Sequence, residues 1–130
     1  PGAREFLVWL RQQGIRTGIA SSNGIELVET VLKAQGIQEY LESVHTCCEV
    51  PKGKPAPDIY LLVAKTLGVK PEECLVFEDV PMGILAGKNA GMRVCAVEDT
   101  FSASQREEKK ELADYYIESY DEIPRERMQP

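Results

Sequence analysis

Hydrophobic positions along the chain repeat with two spacings, one typical of amphipathic helices and one typical of short buried strands. The helical spacing predicts five helices, at 3–13, 25–35, 58–67, 82–90 and 102–112. Short apolar runs predict five strands, at 17–20, 43–46, 75–77, 94–97 and 116–117. In the second helix, Leu27, Val28, Val31 and Leu32 are predicted to share one inward face. The last helix is predicted to be charged and solvated.

Strands that alternate with helices of about ten residues are typical of right-handed crossovers and a parallel sheet. The fold class predicted from this order is α/β, a three-layer Rossmann-like parallel sheet with flanking helices. The chain has 130 residues, which suits one domain with a real core.

The composition excludes several kinds of partner. Lys and Arg number 15 against 21 Asp and Glu, a net charge of -6, and no basic run suggests nucleic-acid binding. No apolar stretch approaches the roughly 20 residues that span a membrane. We therefore expect a soluble, cytoplasmic protein. The four cysteines form no C-x-x-C pair and His45 is the single histidine, which argues against a zinc site.

Polar residues follow three consecutive predicted strands. Ser21, Ser22 and Asn23 come after the first strand, Lys54 lies in the KGKPAPD loop after the second, and Glu78-Asp79 follows the third. Because ligands of open parallel sheets bind at the carboxyl ends of the strands, we expect these side chains to meet at one edge.

This combination of side chains suits a phosphoryl group. Two carboxylates form a hard oxygen site for Mg²⁺. A lysine supplies a positive charge for a phosphoryl oxygen, and a serine before a helix can hydrogen-bond another. Phosphoryl transfer depends mainly on such positioning and charge stabilisation.

Each residue also has an ordinary structural explanation. Ser21 or Ser22 could cap the following helix, Lys54 could be a solvated loop residue, and Asp79 could be a turn residue before Pro81. Their occurrence in this order on one edge favours the site.

The segments IASSN, KPAPD and FEDVPMGILAGKNAGM resemble the second, third and fourth motifs of the haloacid dehalogenase superfamily. The most similar branch contains phosphoglycolate-phosphatase-like and β-phosphoglucomutase-like enzymes. The resemblance implies that Ser21 holds the transferring phosphoryl group and Lys54 balances its charge. It further implies that Glu78 and Asp79 bind Mg²⁺, and that Ser22 and Asn23 line the substrate phosphate pocket.

The first motif of that superfamily, D-x-D-x-T, does not occur in this sequence. The resemblance implies that its first Asp is the nucleophile and that its strand lies in the middle of the sheet, between the strands at 17–20 and 75–77. We therefore interpret residues 1–130 as the C-terminal portion of a core domain without a cap domain. We also expect that the chain alone does not form the full sheet, unless another chain or segment supplies the central strand.

The expected function is magnesium-dependent phosphoryl transfer by the parent protein, a phosphatase or phosphomutase acting on a small phosphorylated metabolite. The 130-residue chain itself is expected to be inactive. Two alternatives remain: a phosphate-binding or regulatory module without catalysis, and a metal-independent dehalogenase. A dinucleotide-binding domain is excluded because no G-x-G-x-x-G follows a strand.

Overall fold

A computed structural model describes residues 3–22, 24–98 and 104–123 of the chain. Its helices are α1 (Ala3–Gln12), α2 (Ile25–Gln35), α3 (Asp58–Leu67), α4 (Pro81–Asn89) and α5 (Arg106–Leu112). Its strands are β1 (Gly18–Ser21), β2 (Ser43–Thr46), β3 (Leu75–Glu78), β4 (Arg93–Val97) and β5 (Tyr115–Ile117). Glycines 14, 36, 68 and 91 follow α1 to α4 with positive φ, a conformation that glycine adopts at little cost and that ends a helix.

The described strands form two separate sheets, in both of which neighbouring strands run parallel. β1 pairs with β2 in register Gly18 to Ser43, and β3, β4 and β5 form the second sheet in that order. We call them the two-stranded and the three-stranded sheet. Within the described ranges, β1 and β3 therefore each pair with a strand on one side alone. This confirms the α/β prediction and the expectation that the sheet is interrupted between these two strands.

The main core lies where α3 and α4 pack on the strands. Its centre is formed by buried aliphatic side chains, among them Ile59, Val76, Ile84 and Val94. Gly87 lets α4 approach β4 closely, because a Cβ at this position would lie 2.6 Å from Val94 Cγ2. Burial of these side chains supplies the hydrophobic stabilisation that holds the helices to the sheet.

A second, aromatic cluster attaches α1 to the three-stranded sheet. The Phe6 ring of α1 meets Phe77 of β3 edge to face at 5.4 Å between centroids and stacks on Tyr120 at 5.7 Å. Phe77 and Tyr120 also contact each other at 5.4 Å. These spacings are typical of favourable aromatic pairs.

Two predicted helices differ in detail from the structure. In α2, Val28 and Leu32 are buried as predicted, but Leu27 and Val31 are 54% and 48% exposed. The predicted helix at 102–112 is described from Arg106, and residues 99–103 lie outside the described ranges. The prediction that this helix is solvated was wrong at Lys109. Its side chain is 0% exposed, and its Nζ donates to the Val97 carbonyl at 2.7 Å. No helix in the described part of the chain is long and apolar enough to cross a membrane.

Candidate active site

The Lys54 side chain lies between the carboxyl ends of β1 and β3 and contacts both. Its Nζ donates to the Ala20 carbonyl at 3.1 Å and to Glu78 Oε2 at 2.5 Å. Lys54 belongs to the loop after β2 and precedes a cis peptide bond to Pro55. The lysine thus connects the two sheets at the edge where the sequence predicts the site.

The ion pair between Lys54 and Glu78 is largely removed from water, since each side chain is 10% exposed. A partly buried pair of this kind is sustained by further hydrogen bonds to its members. The Tyr60 hydroxyl donates to the same Glu78 Oε2, and the Asp79 amide donates to Oε1 at 3.3 Å. The Glu78 carboxylate is therefore fixed by three groups from three different parts of the chain.

Gly83, in the first turn of α4, provides the space that the Glu78 carboxylate occupies. A Cβ at position 83 would lie 2.1 Å from Glu78 Cδ, far inside any allowed contact. Because β3 ends in Glu78 and α4 begins at Pro81, a two-residue turn brings the glycine directly over the carboxylate. The glycine of the FEDVPMG segment thus has a steric role.

The predicted serines lie beside this ion pair. Ser21 ends β1, one residue after the carbonyl that accepts from Lys54, and it is half-buried. Ser22 follows in the exposed turn before α2, whereas Asn23 lies outside the described residues. The N-cap residue of α2 is Gly24, so neither serine occupies the capping position.

Asp79 is exposed and borders a cleft of about 350 Å³ beside the end of β4. The cleft is lined by Phe77, Glu78, Asp79, Val97, Glu98 and Tyr120. Burial raises the pKa of Tyr120 to about 12, and the charges of Cys95, Asp79 and Glu78 act in the same direction. Three acidic side chains and one tyrosine therefore border this cleft.

The carboxylates of Glu78 and Asp79 fit Mg²⁺ in donor type. Magnesium in phosphoryl-transfer sites is held by one or two carboxylates together with waters and substrate oxygens. Glu78 Oε2 already accepts from Lys54 and Tyr60, so Oε1 and the Asp79 carboxylate are the oxygens suited to an ion. Within the described ranges, no cluster of three or more His, Cys, Asp or Glu side chains surrounds a common point.

The sequence pattern predicted Ser21, Lys54, Glu78 and Asp79 at one edge, and the structure places them there. The pattern did not predict the direct ion pair or the contribution of Tyr60. The position of Tyr60 could have indicated its contribution. It follows Ile59 on the buried side of α3, where a tyrosine hydroxyl needs a hydrogen-bond partner.

A family model for haloacid dehalogenase-like hydrolases matches residues 1–91. The chain belongs to this family. It is 32% identical over 123 residues to hexitol phosphatase B of Escherichia coli (strain K12), a match that covers 95% of this chain and 54% of the relative. The resemblance inferred from the three motifs is thereby confirmed.

Two solved structures share the fold of this chain. CbbY from Rhodobacter sphaeroides, crystallised in complex with xylulose-(1,5)bisphosphate, matches with a TM-score of 0.86 and 29% identity, over 95% of this chain and 55% of that one. β-Phosphoglucomutase from Clostridium difficile matches with a TM-score of 0.82 and 26% identity, over 99% and 54% of the two chains. The chain thus spans about half the length of these relatives.

Proposed function

We propose that this chain is the C-terminal portion of the core domain of a magnesium-dependent phosphatase or phosphomutase. The observation that carries the proposal is the meeting of Lys54, Glu78 and the Ser21 strand end at one sheet edge, in a chain of this family. Two of the three relatives named above are a hexitol phosphatase and a phosphoglucomutase. A small phosphorylated metabolite, with a sugar phosphate as the first candidate, is the proposed substrate, and the cytoplasm is the proposed compartment.

Each site residue has a proposed part in binding or charge balance. The Ser21 hydroxyl hydrogen-bonds the transferring phosphoryl group, and Ser22 and Asn23 contact the substrate phosphate. The Lys54 ammonium offsets the negative charge of the phosphoryl oxygens, as a positioned cation does in phosphoryl transfer. Asp79 and Glu78 Oε1 would hold Mg²⁺, which supplies further charge neutralisation when bound.

The nucleophile is proposed to come from outside this sequence, because D-x-D-x-T does not occur in it. A strand from another segment or chain, placed between β1 and β3, would satisfy backbone groups on the open sides of both strands. The 130-residue chain alone is then expected to bind phosphate and metal weakly and to hydrolyse nothing. The missing motif also favours the second candidate, a phosphate-binding or regulatory module without catalysis.

Measurements of phosphate release and of phosphate binding test these proposals. Phosphate release from hexitol and hexose phosphates is measured for the 130-residue chain and for any longer product of its gene, with Mg²⁺ and after chelation. Activity in a longer product that is lost on chelation supports the enzyme, and activity that survives chelation contradicts the metal dependence. An inactive longer product that still binds phosphate supports the regulatory module.

The metal assignment is tested separately by titrating the chain with Mn²⁺, followed by its EPR signal. We expect Asp79→Ala to weaken Mn²⁺ binding by roughly tenfold or more, because one anionic oxygen ligand is lost. Glu29→Ala removes an exposed charge from α2 and is the control. Unchanged Mn²⁺ binding in Asp79→Ala would rule out the proposed metal site.

A further inference from the structure

Tyr60, in α3, contacts the hydrophobic core with its ring and the candidate site with its hydroxyl. The residue is 7% exposed and belongs to the main core, where its ring packs among aliphatic side chains. Its hydroxyl, however, leaves the core and donates to Glu78 Oε2. One side chain therefore reaches from the hydrophobic core to the ion pair at the sheet edge.

The same tyrosine also contacts the other member of the ion pair. Lys54 Nζ lies 5.1 Å from the centroid of the Tyr60 ring, within the range of a cation-π interaction. Lys54 and Tyr60 thus contact each other and share one acceptor oxygen of Glu78. This triangle has a cation, an anion and a neutral donor that is itself anchored in the core.

The hydroxyl has a consequence that packing alone does not explain. A carboxylate held by a lysine alone can rotate with that flexible side chain, whereas a donor on a buried helix fixes its orientation. With Oε2 held by Tyr60, Oε1 stays directed at the Asp79 side of the site. A phenylalanine would fill the same volume in the core but would remove one of the three donors that hold the Glu78 carboxylate.

We infer that Tyr60 is a positioning residue, whose hydroxyl sets the Glu78 carboxylate and whose ring supports the Lys54 ammonium. The contacts carry this inference by themselves. Its significance for phosphoryl transfer rests on the proposed function of Lys54 and Glu78.

The test measures how fast Lys54 is acetylated by acetic anhydride, quantified by mass spectrometry on the folded chain. Lys52, two residues away and exposed, is the internal reference. Lys109 is fully buried and reports any loss of the fold by becoming labelled. We expect Tyr60→Phe to raise the acetylation rate of Lys54 relative to Lys52 by roughly two- to tenfold. This range is the equivalent of the hydrogen bond that Glu78 loses with the Tyr60 hydroxyl. Tyr60→Leu, which also removes the ring, should raise it further.

Two further variants make the test specific. Tyr115→Phe removes a hydroxyl from an exposed tyrosine and should leave the Lys54 rate unchanged. In a Glu78→Gln background, Tyr60→Phe should have a much smaller effect, because the hydroxyl acts through the carboxylate. An unchanged Lys54 rate in Tyr60→Phe overturns the inference. Labelling of Lys109 in Tyr60→Phe also overturns it, since Tyr60 would then be a core residue only.

These outcomes are separable from failure of the proposed function. Lys54 acetylation requires neither metal nor substrate, so a positive result stands even if the chain binds no Mn²⁺. Conversely, Mn²⁺ binding that depends on Asp79 supports the metal site whatever Tyr60→Phe does to Lys54.

Discussion

The two sheets differ in how completely their strands are enclosed. In the three-stranded sheet, β4 is paired on both sides, and its Val94, Cys95 and Ala96 are buried. In the two-stranded sheet, β1 is paired on one side among the described strands and begins with an exposed Gly18. Parallel strands are normally buried and paired on both sides, so the contrast indicates that β4 has a complete environment whereas β1 does not. The polar site residues lie at the carboxyl ends of β1 and β3, the strands on either side of the gap between the two sheets.

Amide hydrogen exchange gives the largest expected difference between the two sheets. We expect β4 amides to exchange on average roughly a hundredfold or more slowly than β1 amides, because opening β4 requires disruption of the core. The rates are measured by NMR on the native chain. Equal protection of the β1 and β4 amides would contradict the expected difference between the sheets and would show that the two sheets open as one unit.

A matched pair of glycine substitutions tests how far each sheet can yield. Gly87→Ala places a Cβ 2.6 Å from Val94 Cγ2, and Gly18→Ala places one 2.8 Å from Val63 Cγ1. Val94 is fully buried, whereas Val63 is half-buried beside a strand with one open side, and the other contacts of a Cβ at position 18, with Ser43, are longer at 3.2 and 3.3 Å. We expect Gly87→Ala to lower the free energy of unfolding by about 1 to 3 kcal/mol and Gly18→Ala by about half as much. Urea denaturation measures the free energy of unfolding of both variants. A larger decrease for Gly18→Ala than for Gly87→Ala would contradict the expectation that the three-stranded sheet is the more rigid of the two.

A further expected effect, smaller than that of Gly87→Ala, concerns the aromatic cluster that attaches α1 to the three-stranded sheet. Burial raises the pKa of Tyr120 to about 12, from 10 in the unfolded chain. A raised pKa means that the folded state holds its proton longer, so this stability is complete below pH 10 and is lost as pH rises towards 12. Because the ring is half-buried, we expect a loss of roughly 1 to 2 kcal/mol.

The Tyr120 contribution is isolated by comparison with Tyr120→Phe. Urea denaturation at several pH values between 9 and 12 should show a steeper decline in the free energy of unfolding for the native chain than for the variant. Parallel declines would assign the alkaline loss to other groups.

Local patterns were sufficient to predict most of the fold. Apolar spacing located all ten elements to within a few residues, because each helix and strand buries one face or one run. The acidic pair ending β3 was readable for the same reason, since two carboxylates after a buried strand need an explanation. The predicted inward face of α2 was correct for Val28 and Leu32 and wrong for Leu27 and Val31. Periodicity locates the apolar stripe of a helix but does not give the width of the stripe that neighbouring elements bury.

Contacts between distant parts of the chain could not be predicted in this way. Lys54 and Glu78 are 24 residues apart, and their pairing depends on how the loop after β2 returns over β1. The contact of Tyr60 with Glu78 depends in addition on the rotation of α3 about its axis. The buried Lys109 was missed because a charged heptapeptide gives no sign that one lysine will meet the Val97 carbonyl.

Gly83 has a consequence for any mutational map of this chain. Every other side chain at that position would meet the Glu78 carboxylate, because even the Cβ of an alanine would lie 2.1 Å from its nearest atom. A saturation screen for Mn²⁺ binding would therefore rank Gly83 with Glu78 and Asp79, although glycine supplies no ligand atom of its own. Loss of binding in every variant at position 83 would then reflect a steric requirement. No choice of side-chain size or charge at this position could restore binding, because every side chain begins with the Cβ that meets Glu78.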